Sequence, residues 1–407
     1  MNICLISREY PGETGWGGIG TYTYHLAHGL SKLGHKVVVI TQGLEADKEY
    51  MDKSVWIYRT KHKILFEHKE SLKDFFQRLE YSKTVYAKIS ELITKWRFDI
   101  IEGPNLSGEA FIYSLFKKAP LVTRLHTHFS EVISFLGWEI TQDLRLSCWI
   151  EDATILRSDL VTCSTRQHAG IIFSNLVSCP ENVEIIPLGV PLPTLDRQNK
   201  VNQGKWKVLY VGRLEKRKGI QVLIKAIPEI LQQVPDTEFN IIGRDSYVNG
   251  ESVSFTGRAE DSFQRKLLKD IPRQYLKKIK FIGYAEDKQL EEYYQSCDVF
   301  VAPSLYESFG FIYIEAMSYA KPVVGCSVGG VPEVIKDGET GILVAPEDHY
   351  QLTQAIIRLL KNKELRVRMG INARKHVEAN FTREQMVQKT LDTYRKVINV
   401  KNNKRTR

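Results

Sequence analysis

Short apolar runs alternate with amphipathic stretches in both halves of the chain. Residues 2–7 (NICLIS) and 36–41 (KVVVIT) are nearly continuous in apolar side chains, as expected of strands covered on both faces. Residues 22–33 between them carry apolar side chains at helical spacing. Further strands are predicted at 99–102, 121–126 and 160–164. The rhythm stops near Pro187, where 187–206 (PLGVPLPTLDRQNKVNQGKW) carries three prolines and many polar residues and reads as a linker. It then restarts, with strands predicted at 207–211, 238–242, 280–282, 298–302 and 322–326 and helices between them. The expected fold class is α/β, with two doubly wound parallel sheets in domains 1–190 and 206–382. Such domains are expected to face each other across a cleft. Their ligands bind outside the carboxyl ends of the strands.

Residues 72–96 form a long, charged, amphipathic helix pattern, with Leu72, Phe75, Phe76, Leu79, Tyr86, Ile89, Ile93 and Trp96 as its apolar positions. It reads as a core-facing helix of the first domain, with a membrane-surface helix as the alternative. Composition narrows the class further. In 407 residues, 43% hydrophobic and 26% charged, no run of 18 apolar residues occurs, so no membrane-spanning helix is expected. The first residues have no basic segment, and their apolar run ends at Ser7, so they read as a strand and not as a secretion signal. Cys4, Cys148, Cys163, Cys179, Cys297 and Cys326 include no C-x-x-C pair. Reduced thiols in a cytoplasmic protein are expected, without a zinc site.

The charge is uneven. Residues 1–195 hold 21 Lys and Arg against 22 Asp and Glu, while 196–407 hold 36 against 26, for a net charge of +9. The basic half suits an anionic ligand, a nucleic acid or an anionic lipid surface, and charge alone does not choose.

Three segments carry candidate chemistry. Residues 15–20 (GWGGIG) fit G-x-G-x-x-G, but Arg8–Thr14 separate them from the strand. Thr41 also stands where a dinucleotide fold would place an acid. What survives is a glycine turn ahead of a helix start, able to approach an anion, or else a plain tight turn. The second segment, VGRLEKRKG (211–219), leads from a strand into a helix. Arg213 and Lys218 there suit a diphosphate; a solvated surface run is the bland alternative. The third, PSLYESFGFIYIEAMSYAKP (303–322), places Glu307 in a loop and Glu315 inside the helix that starts near Gly310. The backbone N–H groups of Phe309–Ile312 lie between them. That spacing suits carboxylates accepting from ligand hydroxyls at two depths. It does not suit a close hydrolytic pair.

These segments, with VTRLHTH, FIGY, GGVPEVIKDGETGILV and the closing FTREQMVQKTLDTYRKVI, resemble in order the motifs of retaining nucleotide-sugar glycosyltransferases of family 4. Those enzymes have the GT-B fold of two Rossmann-like domains, and the resemblance covers nearly the whole chain. It implies that the C-terminal helix (383–400) packs back on the first domain, which binds the acceptor. The second domain then binds the donor. Arg213 and Lys218 are implied to neutralise the donor diphosphate in place of a metal. Glu307 is implied to contact the transferred sugar, with the N–H groups of Phe309 and Gly310. Glu315 is implied to bind the ribose, the N–H groups of Phe311 and Ile312 a phosphate, and Ile282, Gly283 and Tyr284 the base. In the first domain, Gly18 and Gly20 approach the phosphates or acceptor, and His126, placed ahead of His128, lies near the reaction centre. One departure is Ala320, where many relatives have glycine at a helix C-cap.

The expected function is therefore transfer of a sugar from a nucleoside-diphosphate sugar to an acceptor hydroxyl, without a cofactor or divalent metal, by a cytoplasmic hexosyltransferase. UDP-sugar is the first choice of donor, with GDP- and ADP-sugars open. A glycan or small molecule is the favoured acceptor. A lipid-linked acceptor, with weak peripheral membrane contact, is the alternative. Trp16 and the aromatic stretch 129–140 are candidates for an acceptor wall or for core packing. Nucleic acid is not expected as a partner. A NAD-dependent oxidoreductase is the distant rival, and Thr41 argues against it.

Overall fold

A computed structural model describes residues 1–14, 17–62, 70–195, 204–245, 247–248, 251–252, 263–269 and 271–405. The chain divides into two compact units. One comprises Met1–Gly189 and the chain from Arg383 on; the other is Val190–Thr382. In order, the first unit contains β1 (Asn2–Ile6), α1 (Gly18–Lys32), β2 (Lys36–Gly43), β3 (Lys48–Asp52), β4 (Val55–Lys61), α2 (Lys73–Trp96), β5 (Ile100–Pro104), α3 (Phe111–Leu115), β6 (Leu121–Arg124), α4 (Phe129–Leu136), α5 (Gln142–Arg157), β7 (Leu160–Cys163), α6 (Arg166–Asn175) and β8 (Val183–Ile185). The second contains β9 (Trp206–Val211), α7 (Ile220–Gln233), β10 (Thr237–Ile242), the short β11 (Tyr247–Val248) and β12 (Glu251–Ser252), α8 (Phe263–Leu268), β13 (Ile279–Gly283), α9 (Asp287–Ser296), β14 (Val299–Ala302), α10 (Phe311–Ser318), β15 (Val323–Cys326), α11 (Val331–Val334), β16 (Gly341–Val344), α12 (His349–Lys361) and α13 (Lys363–Asn380). Helix α14 (Arg383–Arg405) returns to the first unit.

The first sheet has the order β3-β4-β2-β1-β5-β6-β7-β8 and is parallel except for the β3–β4 hairpin. The second, β13-β10-β9-β14-β15-β16, is parallel throughout. The fold class is α/β, two Rossmann-like domains of the GT-B type. The central strands are apolar on both faces because helices cover both. Val37, Val38, Val39 and Ile40 of β2, and Val299, Phe300, Val301 and Ala302 of β14, are fully buried. Strand order reverses between β1 and β5 in one sheet and between β9 and β14 in the other. A crevice for ligands opens at such a point.

Helix α2 is a core helix. Its buried stripe runs through Tyr81, Val85, Ile89 and Leu92, one register from several positions the pattern singled out. Phe75 and Leu79 pack on Phe111 and Ile150. Strands β3 and β8 are missed by the pattern, because the exposed residues of β3 and the three half-buried residues of β8 carry little apolar signal; β4 and β16 are missed although they hold the apolar runs VWIY and GILV. The linker expectation partly fails. Leu188 and Val190 are buried, Val190 bridges Thr382, and the Pro193 carbonyl accepts from Arg374, while residues 196–203 lie outside the described set. Most of the polar stretch 246–268 also lies outside it.

Helix α14 is anchored by burial of Met386, Val387, Leu391 and Tyr394. Gly29 of α1 leaves room for Val387; a Cβ there would fall 2.3 Å from Val387 Cγ2. The Tyr394 hydroxyl donates to Glu102 Oε2 at 2.8 Å. No described helix is long and apolar enough to cross a membrane.

Ala320, just past α10, has φ +56°. A Cβ in this left-handed region costs about 1 kcal/mol or more. Ala320→Gly is expected to stabilise the second unit by roughly 1 kcal/mol, read as a rise in its thermal midpoint. A lowered midpoint would contradict the strain.

Candidate active site

The reversal point of the second sheet gathers most of the predicted donor-site residues. The loop after β9 carries Arg213, Glu215, Arg217 and Lys218, and the loop after β14 carries Ser304 and Glu307. The two loops are tied by Leu305 N–H donating to the Arg217 carbonyl at 2.8 Å. Gly219 ends the first loop with φ +69°, and a Cβ there would sit 1.7 Å from the Pro303 carbonyl oxygen. Only glycine permits this approach. It brings Lys218 to Glu307, 89 residues on: Nζ donates to Oε1 at 2.5 Å, and Ser304 Oγ donates to the same oxygen at 3.0 Å.

Both partners are largely shielded, with side chains 16% and 9% exposed. Burial pushes the Lys218 ammonium below its usual range, as does Arg217 nearby, against the attraction of Glu307. For Glu307, burial works against ionisation, but Lys218 and Arg217 outweigh it and hold the carboxyl below its ordinary range. Arg217 is the cation that the sequence reading missed. It donates to Glu215 Oε1 at 2.6 Å and to the Tyr306 carbonyl at 3.5 Å. Arg213, which was singled out, is 59% exposed and 3.5 Å from Glu215. Position in the motif separates neither arginine from the other; only the loop's path buries one of them.

Gly310 precedes α10 with φ +89°. Phe309 beside it is buried against Phe381, ring centroids 5.6 Å apart. Phe311 and Ile312 form the first turn, whose N–H groups have no partner within a helix. Glu315 lies one turn deeper, half-buried. Its Oε2 accepts from the Tyr294 hydroxyl at 2.7 Å, and Tyr294 stacks on Tyr319 with ring centroids 5.6 Å apart. Burial pushes the Glu315 carboxyl up, against that hydrogen bond. Ile282 and Gly283 end β13, and the Gly283 carbonyl accepts from Gly243 N–H at 2.8 Å. Tyr284 is exposed, with the Arg244 guanidinium 4.4 Å above its ring, a second cation the sequence reading did not select.

In the first unit Gly18 opens α1 and Gly20 follows within its first turn. The carboxylate of Glu9 lies against Gly17, where a Cβ would meet Oε2 at 1.9 Å. The protein's own anion thus stands at this helix start. Gly15 and Trp16 lie outside the described residues. His126 follows β6, its N–H donating to Asn105 Oδ1 at 2.6 Å. His128 is structural: it caps α4 through Ser130 and lies 3.1 Å from Asp152. Of the candidate acceptor wall, Phe129 and Ile133 are core residues, whereas Trp138 and Ile140 are exposed. Among the described residues no group of three or more His, Cys, Asp or Glu is placed to hold a metal ion.

Cations and a helix start at the second reversal point make a place for an anionic ligand such as a diphosphate. The glycosyl transferases group 1 model matches residues 193–376, and the glycosyltransferase family 4 model matches residues 16–193. The chain belongs to the family 4 type of GT-B glycosyltransferases and is a hexosyltransferase-type enzyme. It is 26% identical to a D-inositol 3-phosphate glycosyltransferase of Corynebacterium diphtheriae, over 97% of this chain and 94% of that one. Among solved structures it resembles a sucrose-phosphate synthase from Thermosynechococcus elongatus, with TM-score 0.77, 23% identity and coverage of 98% and 99%. It also resembles Anabaena HepE in complex with UDP and glucose, with TM-score 0.71, 20% identity and coverage of 97% and 99%.

The ion pair has a pH signature. A depressed carboxyl contributes stability that is fully present above the unfolded value, about 4.3. That stability is lost as pH falls through the lower folded value. Glu307→Gln leaves Lys218 buried without its counter-charge and is expected to cost about 3 kcal/mol near neutrality. Urea unfolding of parent and variant across pH should show that gap closing below about pH 4. A gap independent of pH would contradict the pair.

Proposed function

We propose that the protein is a cytoplasmic, metal-independent, retaining glycosyltransferase that moves a sugar from a UDP-sugar to a hydroxyl of a glycan or small molecule. The observation that carries this reading is the buried Lys218–Glu307 pair beside the start of α10, at the reversal point of the second sheet. In the absence of donor the two groups neutralise each other. A donor diphosphate competes for Lys218, with Arg213 swinging in from solvent, and the sugar hydroxyls take up Glu307. Phe311 and Ile312 N–H groups meet a phosphate, those of Phe309 and Gly310 meet the sugar, and Glu315 receives the ribose hydroxyls. The base lies along Ile282, Gly283 and Tyr284. The UDP bound to the HepE relative supports the choice of uridine.

In this reading the bond from the anomeric carbon to the diphosphate oxygen breaks, and the acceptor oxygen bonds that carbon on the same face. The acceptor proton passes to the departing diphosphate. Lys218 and Arg213 stabilise the charge that develops there, the task a divalent metal performs elsewhere. Gly18 and Gly20 approach the donor phosphates or the acceptor, and His126 lies near the reaction centre. The exposed Trp138 and Ile140 offer an apolar surface for sugar stacking. Burial of the apolar stripe of α2 removes one of the two features that favoured a lipid-linked acceptor, the other being the basic charge of the second half.

Calorimetric titration with UDP, GDP and ADP in EDTA is the direct test. Micromolar binding of UDP is expected. Binding that appears only with added metal would sink metal independence, and preference for another base would sink the donor assignment. Lys218→Ala is expected to lower kcat about 10²- to 10³-fold. Glu315→Ala is expected to weaken nucleotide binding roughly tenfold or more through lost ribose hydrogen bonds. Unchanged turnover in Lys218→Ala would overturn the site.

A further inference from the structure

The reversal point of the first sheet holds a small cavity of about 10 Å³, lined among others by Ile6, Tyr22, Glu102, Gly103, Arg124 and His126. Arg124 is 1% exposed. Its guanidinium lies 4.8 Å from the centre of the Tyr22 ring, and Nη2 donates to the Ile186 carbonyl at 2.7 Å, while Nε and Nη1 are buried without a hydrogen-bond partner. His126 Nε2 is likewise buried without a partner, and both residues line the cavity. His126 as a whole is half-buried, and Nε2 is its ring nitrogen enclosed without a hydrogen-bond partner. Glu102 accepts from Tyr22 at one oxygen and Tyr394 at the other, both at 2.8 Å, and each oxygen retains a further lone pair.

An arginine only donates, so whatever joins these groups must accept from Arg124. The cavity has room for one water, and a buried water needs two to four polar partners. We infer that it is a one-water site in which water accepts from Arg124 and donates to His126 Nε2 and Glu102, fixing His126 as the Nδ1–H tautomer. The guanidinium favours a lone pair facing it over an N–H. The bond made by one ring nitrogen decides which nitrogen carries the proton. Burial and the Arg124 charge also hold the imidazole far below its ordinary range, so it stays neutral. His126 therefore offers an N–H donor outward, to a hydroxyl or phosphoryl oxygen of a sugar substrate. It is not a proton acceptor there, and Arg124 is its positioning residue. This rests on His126 lying near the reaction centre of the proposed transferase.

The experiment is nitrogen-15 NMR of the histidine-labelled full chain, with His126 assigned by its loss in His126→Gln. The expected wild-type signal is a neutral Nδ1–H imidazole that does not titrate between about pH 5.5 and 8.5, a range that spans the ordinary histidine value. An Nε2–H tautomer, or titration inside that range, would overturn the proposal. Arg124→Met is expected to mix the tautomers, while burial and the nearby His168 still hold the imidazole below its ordinary range. It should also cost about tenfold at neutral pH, the worth of one hydrogen bond. Arg124→Lys keeps the cation and should keep the parent tautomer even if the methionine variant folds poorly. An unchanged tautomer in Arg124→Met would also overturn it. Full turnover of His126→Gln would sink the donation to substrate while leaving the Lys218 test of the reaction untouched.

Discussion

The second unit turns on one ion pair. Lys218 and Glu307 come from loops 89 residues apart, and their 2.5 Å contact joins the two strands where the sheet changes direction. A buried pair of this kind adds little to stability, because desolvation cancels much of the attraction. Its value is that each charge is held in place and desolvated beforehand. Ser304 and Arg217 hold the pair from either side, and Gly219 permits the backbone approach that makes it. In the proposed reaction an arriving anion displaces Glu307 from Lys218, so the pair holds both charges at the site until a ligand takes them over.

The first sheet has the same reversal point and treats it differently. There the polar groups are turned inward. Glu102 is shared by Tyr22 of α1 and Tyr394 of α14, and Glu9 stands at the start of α1. The C-terminal helix thus reaches the interior of the first unit through a hydrogen bond to a carboxylate on a central strand. Among the described residues, Arg124 Nε and Nη1 and His126 Nε2 are buried there without a hydrogen-bond partner. One sheet plan yields a cation site in one unit and a closed polar interior in the other, and the difference lies in the loops.

Much of the architecture was legible because buried parallel strands leave continuous apolar runs and covering helices leave a 3.6-residue period. Strand β3 escaped because it is exposed and carries Lys48, Glu49 and Asp52 in place of an apolar run. Around the site, Lys218, Glu307 and Glu315 were legible from residue type and spacing after strand ends. Arg217 was not, since it is one of three adjacent cations and only the 3₁₀ turn at Lys216–Lys218 decides which of them turns inward. Tyr294 and Arg244 were equally hidden, because their partners Glu315 and Tyr284 are distant in sequence.

The sequence by itself determined the two doubly wound halves, the family and the set of charged side chains at the second reversal point. These follow from local periodicity and from motifs that each lie within one loop and its neighbouring elements. Tertiary structure alone decided which arginine of the loop is buried, that Glu307 is paired with Lys218, and that Arg124 and His126 line one cavity of about 10 Å³. Those outcomes depend on distance and desolvation between residues remote in the chain, and no local pattern encodes either.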